Sequence, residues 1–330
     1  MKIAIFGFGA VGRGVARVLM DKERMSKVLG DYSVVAVADS RGSIVSESGI
    51  DLGEALRLKE VRGRLPEGMG VEEIIETLDF DVALELTPTN IETGEPGLTH
   101  IKMCLEKGSH VVTSNKGPLV VAYRELERLA KRNGVKLMFE ATVGGAMPVI
   151  KLIKRNLAGN KVESIKGILN GTCNYILSRM EREKLSYRQI LAEAKELGIA
   201  EANESYDVEG IDSAAKLVIL ANAVMGMDVR FEDVEVSGIT EITPEAFEIA
   251  LEKGYTIRLI AEVSENELKV GPRLVSLNNP LCVHGTLNAI LIQTDLAGEV
   301  FVIGRGAGSI ETASAVISDL VDIRACDGWV

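Results

Sequence analysis

The sequence predicts an α/β fold, a doubly wound parallel sheet in the N-terminal part followed by a second, α+β domain. Three observations predict it. Short aliphatic runs alternate with amphipathic segments through residues 1–139, the pattern of parallel strands joined by helices. A glycine-rich turn directly follows the first run. Beyond residue 148 the pattern changes to longer alternating strands interspersed with helices. With 330 residues, 46% hydrophobic and only 4% aromatic, the chain can bury two cores built mainly from aliphatic side chains.

The first run, residues 2–6, leads into GFGAVG at 7–12 and an amphipathic segment over 11–29. A lone G-x-G-x-x-G is weak evidence, but between a strand and a helix its glycines have separate roles in a Rossmann-type unit. Gly7 permits the tight turn, Gly9 lets a pyrophosphate approach the backbone, and Gly12 lets helix and strand pack closely. The second run, 34–38, ends in Asp39, where such a fold places the acid that holds the adenosine ribose hydroxyls. Arg41, two residues on, could receive a 2′-phosphate, so NAD and NADP are both admissible.

Residues 42–70 read as a polar, glycine-punctuated loop with one short helix near 53–58. Helices over 71–78, 97–107 and 119–133 then alternate with strands over 81–86, 110–113 and 135–139. Ligands of such sheets bind beyond the carboxyl ends of the strands. Two polar stretches fall there, Thr87 to Thr89 and Thr113 to Lys116. Lys116 would bring a positive charge toward a nicotinamide, although a surface lysine opening a helix has the same signature.

Pro148 is placed to start a helix reaching about 157. A strand over 163–169, helices over 170–183 and 187–197, and an acidic stretch follow. Five acidic side chains lie between Glu201 and Asp212, and the apolar helix over 211–225 carries one cation, Lys216. Asp212 and Lys216 are four residues apart and share a helix face, a spacing that also suits an ordinary solvated ion pair. Strands over 255–263, 267–274, 287–294 and 299–303 complete a second sheet. One face of it is expected to carry helices and the other to pair with a second subunit, giving a homodimer. GRGAG at 304–308 precedes an apolar helix over 310–323. The expected domains are 1–139 for the dinucleotide, 140–303 for substrate and dimerisation, and a 304–330 segment returning to the first domain.

Net charge is −11, from 37 Lys+Arg against 48 Asp+Glu, which argues against a general nucleic-acid or anionic-membrane surface and leaves small molecules as partners. Cys104, Cys173, Cys282 and Cys326 form no C-x-x-C pair and the chain has three histidines, so no zinc spacing can be written. Reduced, mostly buried thiols are expected. Neither a charged leader, a signal core nor an apolar run of membrane-spanning length is found, so a cytoplasmic location is expected.

GFGAVG, TSNKGP at 113–118, EATVGGAMP at 140–148, LNGTCNYIL at 169–177, DVEGIDSAAKL at 207–217 and GRGAGS at 304–309 together resemble homoserine dehydrogenase, in order and across nearly the whole chain. The resemblance implies reduction of L-aspartate 4-semialdehyde to L-homoserine with NADH or NADPH, on the route to threonine and methionine. It makes Lys216 the proton donor and acceptor beside Asp212, with Lys116 a second cation near the reacting oxygen. Glu201 and Asp207 become substrate-binding acids, suited to an ammonium, and Gly171 and Thr172 offer donors to the carboxylate. Phe8, Val11, Thr87, Lys116, Gly198 and Gly308 are implied to lie against the cofactor. A sodium ion is implied at the Glu140 side chain and the backbone carbonyls of Val143, Gly145 and Met147, a donor set suited to a hard cation. Gly144 and Gly145 would equally make a simple turn before Pro148. The chain ends soon after the GRGAGS helix, so inhibition through the regulatory extension of longer members is not expected.

Chemistry agrees with these roles. Hydride delivery to an aldehyde creates an alkoxide that a lysine ammonium can stabilise and protonate, and in reverse a neutral lysine takes the hydroxyl proton, so alkaline conditions should favour oxidation. Tyr206 stands where some members carry another acid, and the Asp39 to Arg41 segment is variable in the family. Two rivals remain: a semialdehyde-oxidising enzyme, which needs a cysteine nucleophile with a base and has only Cys173 to offer, and a dinucleotide-binding sensor with no use for Lys216.

Overall fold

A computed structural model describes residues 1–201 and 203–326. The chain divides into two compact units, Met1–Ala146 with Gly308–Val330, and Met147–Ala307. Residues 327–330 and the Cys326 side chain, which the sequence reading included, lie outside the described residues.

The first unit begins with β1 (Lys2–Phe6), α1 (Ala10–Leu19), α2 (Lys22–Leu29), β2 (Ser33–Asp39), β3 (Gly42–Val45), α3 (Leu52–Arg62) and α4 (Val71–Thr77). It continues through β4 (Val82–Glu85), α5 (Gly97–Lys107), β5 (His110–Thr113), α6 (Lys116–Arg132) and β6 (Leu137–Met138). The strand order is β3-β2-β1-β4-β5-β6. β1 pairs in parallel with β2 on one side and β4 on the other, so the chain direction of winding reverses beside it. At such a switch point the loops after neighbouring strands diverge and open a crevice. Central strands are covered on both faces, which is why residues such as Ile3, Ile5, Val35, Val37, Ala83 and Leu84 are all fully buried.

The sequence reading needs correction in four places. The segment over 11–29 is two helices, because Asp21 accepts a hydrogen bond from the Arg24 amide (3.0 Å) and starts the second. The supposed loop over 42–70 contains β3, antiparallel to β2, and an eleven-residue α3 capped by Asp51; a four-residue edge strand is too short to show a hydrophobic period. The helix expected from Pro148 is a single turn, α7 (Val149–Lys151), that runs on as a π-turn over Leu152–Asn156. A helix over Pro244–Glu252 was missed; its proline occupies the first helical position, where the missing N–H costs nothing.

In the second unit β7 (Val162–Ile168) is followed by α8 (Gly171–Glu183), α9 (Tyr187–Glu196), α10 (Ser205–Val208), α11 (Ile211–Val224) and β8 (Glu235–Val236). Then come α12 (Pro244–Glu252), β9 (Tyr255–Ser264), β10 (Leu268–Ser276), β11 (Leu287–Thr294) and β12 (Gly298–Arg305). The sheet runs β12-β11-β7-β9-β10-β8. α11 lies in the centre of this unit, with Leu217, Val218, Ile219 and Leu220 at 0% exposure, each burial stabilising by roughly 1.5–3 kcal/mol.

The last helix, α13 (Ser309–Cys326), belongs to the first unit. Its N-terminus packs on α1, where a Cβ on Gly14 would stand 2.5 Å from the Ser309 carbonyl and Ser309 Oγ donates to the Ala10 carbonyl (2.6 Å). Farther along, Asp319 accepts from the Glu140 amide (3.0 Å), which holds the 140–146 turn to this unit. The expected domain break at 139/140 accordingly stands beside a change of unit at 146/147.

Candidate active site

In the first unit the turn after β1 is shaped by backbone proximity. Gly7 has φ +99°, and a Cβ there would fall 2.4 Å from the Leu86 carbonyl; one on Gly12 would fall 2.1 Å from the Gly7 carbonyl. A Cβ on Gly9 would meet nothing within 4 Å, so the protein does not itself require glycine there, whereas a closely approaching phosphate would. Gly9 precedes α1 as its N-cap, where first-turn N–H groups lack intrahelical acceptors and favour an anion. Phe8 is fully buried, while Val11 is half-buried.

Asp39 ends β2 as expected and is already engaged: it accepts from the Arg41 amide (2.8 Å) and from Lys59 Nζ (2.5 Å). Lys59, brought in by α3, was not singled out in the sequence, where a separation of twenty positions conceals the pairing. Arg41 itself is exposed. At the ends of β4 and β5, Asn115 Nδ2 donates to Thr87 Oγ1 (3.2 Å) and the Pro88 carbonyl (3.3 Å), so the two polar stretches identified in the sequence are tied together. Asn115 also caps α6 through the Gly117 amide (3.0 Å), which puts half-buried Lys116 at the first helical position. Beneath them Glu85, 0% exposed, receives Thr87 Oγ1 and Thr113 Oγ1, with His100 Nδ1 3.8 Å away. An acid inside the apolar run DVALEL was the available signal for this cluster. Gly308, at φ +129°, precedes α13, and a Cβ on it would strike the Glu311 carboxylate.

In the second unit the polar residues converge where β7 passes into α8. Lys216 Nζ donates to Asp212 Oδ2 (2.7 Å) and to the Leu169 carbonyl (2.7 Å), with both side chains under a tenth exposed. Asn170 caps α8 by accepting from the Cys173 amide (2.8 Å), while its Nδ2 donates to Asp207 (2.7 Å) and Asp212 (3.0 Å). One asparagine thus joins a helix cap to both inward-facing acids. Burial pushes the Asp207 carboxyl up and the nearby Asp212 charge adds to this, opposed by the Asn170 hydrogen bond, the Lys216 charge and Thr172. Thr172 Oγ1 reaches the Ile199 carbonyl (3.2 Å), anchoring the loop that contains Gly198, at φ +68°, and exposed Glu201. Gly171 stands at the first position of α8. The acidic stretch is therefore divided: Glu204 pairs with Lys195 (2.6 Å), Glu201 and Glu209 are exposed, and only Asp207 and Asp212 join the lysine. The buried Tyr206 hydroxyl, raised in pKa by burial and then by Asp212 and Asp207, has no hydrogen-bond partner among the described residues.

Cys173 is fully buried, its thiol pushed well up by burial and by Asp207 and Asp212, and Sγ donates to the Asp207 carbonyl (3.1 Å). A buried thiol held as a donor lacks the thiolate character a nucleophile needs. Glu140 and Val143, implied for a cation, are buried at 3% and 1% exposure, and Gly145 turns at φ +57°; Met147 is buried in the other unit. No cluster of three or more His, Cys, Asp or Glu that could hold a metal occurs among the described residues.

The raised Asp207 pKa has a stability consequence with a definite sign. A carboxyl whose folded pKa lies above its unfolded value, near 3.8, favours folding only while protonated and opposes it once ionised. Asp207→Asn is therefore expected to raise Tm at neutral pH by on the order of 2 °C, with the difference vanishing as pH falls toward 4, checked by thermal melts across pH. An equal or larger gain in acid would contradict this.

The glycine-turn Rossmann unit is a dinucleotide-binding fold, and its family makes the protein an NAD(P)-dependent oxidoreductase. A sequence model of the homoserine dehydrogenase family matches residues 148–321, and that of the homoserine dehydrogenase NAD-binding domain matches residues 7–140. The chain belongs to the homoserine dehydrogenase family. It is 52% identical to the homoserine dehydrogenase of Methanocaldococcus jannaschii, over 98% of both chains. The fold is similar to that of a putative homoserine dehydrogenase from Archaeoglobus fulgidus, with TM-score 0.93, 57% identity and coverage of 98% and 99% of the two chains. It is also similar to a hyperthermophilic archaeal homoserine dehydrogenase in complex with NADPH, with TM-score 0.85, 32% identity and 98% coverage of each. No helix among the described residues is long and apolar enough to cross a membrane.

Proposed function

We propose that the acid–lysine cluster performs the proton transfer of homoserine oxidation and aspartate-semialdehyde reduction, with Lys216 as general acid and base. The observation carrying this is the burial of Lys216 against Asp212 with Nζ donating to Asp212 and Leu169. An ammonium has three protons, and the third would meet the substrate oxygen. A buried ion pair contributes little to stability compared with apolar residues of the same volume, which favours a chemical reason for keeping it. Bound nicotinamide supplies or receives the hydride. Lys216 protonates the resulting alkoxide or removes the hydroxyl proton, Asp212 holds Nζ in place, and Asp207 with Glu201 receives the substrate ammonium. For Lys116, at the first position of α6, the second-cation role that the family resemblance implies is kept as part of this proposal.

The glycine turn and the Asp39–Lys59 pair fit a dinucleotide, and Lys59 with Arg41 would neutralise a 2′-phosphate. The preference proposed is accordingly NADP, with NAD accepted through Asp39. Initial rates with homoserine and aspartate semialdehyde, each with both cofactors, test the reaction; no turnover of either substrate would end it. Lys59→Ala is expected to raise KM for NADP at least about tenfold while leaving KM for NAD within twofold, since only the former carries the extra dianion. Equal changes would assign Lys59 a structural role.

Glu140 and the carbonyls of Val143 and Gly145 suit a hard monovalent cation such as sodium by donor type, and it would stiffen the 140–146 turn. A cytoplasmic homodimer is proposed, pairing through the second unit's sheet, on a face where Leu287 and Ile303 are exposed at 37% and 48%.

A further inference from the structure

Asn288 is the second residue of β11, opposite Gly304 of β12, and is 1% exposed. Its carboxamide lies between glycines of two separate motifs. A Cβ on Gly171 would stand 3.5 Å from Oδ1, and one on Gly306 would stand 1.9 Å from Nδ2 and 2.8 Å from Oδ1. Neither Oδ1 nor Nδ2 has a hydrogen-bond partner among the described residues. Buried polar atoms in native proteins are almost always satisfied, so this amide is held ready for a polar group that the chain does not provide.

We propose that Asn288 is a substrate-binding residue whose amide donates to the α-carboxylate of the amino-acid substrate, a proposal that rests on the homoserine reaction proposed above. An α-amino acid carries its ammonium and carboxylate on one carbon, so its site must place acceptors and donors side by side. Asn170 and Gly171 provide that juxtaposition. Asn170 gathers Asp207 and Asp212 at 2.7 and 3.0 Å, which sets Asp207, an acceptor for the substrate ammonium, beside the Asp212–Lys216 pair. Gly171 opens a thirteen-residue helix, whose first N–H groups and positive dipole end favour a carboxylate. The Cys173 amide is taken by Asn170 Oδ1 (2.8 Å), and Asn288 stands against Gly171 to add the donors of a neutral side chain.

The amide is also held in place. Asn174, one turn into α8, donates from Nδ2 to the carbonyls of Val283 (3.2 Å) and Leu287 (3.0 Å), fixing the start of β11. Because neither amide atom is committed to the protein, the two orientations of the carboxamide are equivalent toward the backbone, and the one with Nδ2 toward Gly171 meets a carboxylate. An asparagine, unlike a lysine or arginine, places no third charge beside the Asp212–Lys216 pair.

The test compares homoserine with 3-aminopropan-1-ol, which has the same hydroxyl and ammonium but no carboxylate, each used as substrate or as inhibitor of homoserine oxidation. In Asn288→Ala, KM for homoserine is expected to rise at least about tenfold, with kcat and the cofactor KM within twofold, while affinity for 3-aminopropan-1-ol stays within twofold of wild type. Gly306→Ala should give the same split, because its Cβ would displace the carboxamide. If Asn288→Ala does not fold, Asn288→Ser in the same comparison decides. Equal losses for the two compounds, or no change for homoserine, would overturn the assignment. Wild-type protein inert toward homoserine would instead remove the reaction itself, and with it this role.

Discussion

Lys216→Ala is expected to lower kcat for homoserine oxidation by roughly 10²- to 10⁴-fold, the range for loss of a positioned general acid or base. Cofactor affinity should be unchanged, as measured by fluorescence titration. The same variant leaves Asp212 buried beside Asn170 without its cation, and breaking a buried pair typically costs about 3–5 kcal/mol. Loss of activity could then be confused with loss of fold. Lys216→Met combined with Asp212→Asn removes both charges and is expected to recover the melting temperature but not the turnover. Full activity in any folded Lys216 variant would exclude the mechanism.

Gly9→Val is expected to abolish dinucleotide binding, with at least about a hundredfold rise in Kd, while leaving Tm within about 2 °C. Among the described residues nothing lies within 4 Å of a Cβ at Gly9, so a branch added there starts in open space and extends into the room a pyrophosphate needs. Gly12→Val should behave oppositely. Its Cβ would press on the Gly7 carbonyl from 2.1 Å, forcing α1 away from β1 and lowering stability by overpacking. Melting curves and cofactor titrations of the two variants separate a ligand-facing glycine from a packing one. Loss of stability in Gly9→Val without loss of binding would contradict the assignment.

Much of the fold was legible because its signals are local. A strand-turn-helix with glycines at 7, 9 and 12 specifies a βαβ entry through backbone sterics alone, and buried parallel strands announce themselves as aliphatic runs. Elements that failed were short or lacked a period. β3 has four residues, and the break at Asp21 depends on one capping hydrogen bond that an amphipathic pattern averages over.

The acid–lysine pair was similarly visible, since Asp212 and Lys216 are separated by one helical turn and a lone cation stands out in an apolar run. Its neighbours were less so. Asn170 is more than forty residues from Asp212, and whether its amide caps a helix, binds acids or does both depends on where β7 ends. The same holds for Lys59 against Asp39 and for Asn288 against Gly171 and Gly306.

By itself the sequence determined the class of fold, the dinucleotide turn, the family and the lysine on its apolar helix, because each is encoded within a turn, a strand or one helical period. Only the tertiary structure decided which of the five acids face inward, that Asp39 is neutralised from α3, that Cys173 is held as a buried donor, and that Asn288 is left with unmet hydrogen bonds. Those facts depend on contacts between residues far apart in the chain, where desolvation and packing set the chemistry and no local pattern records the partner.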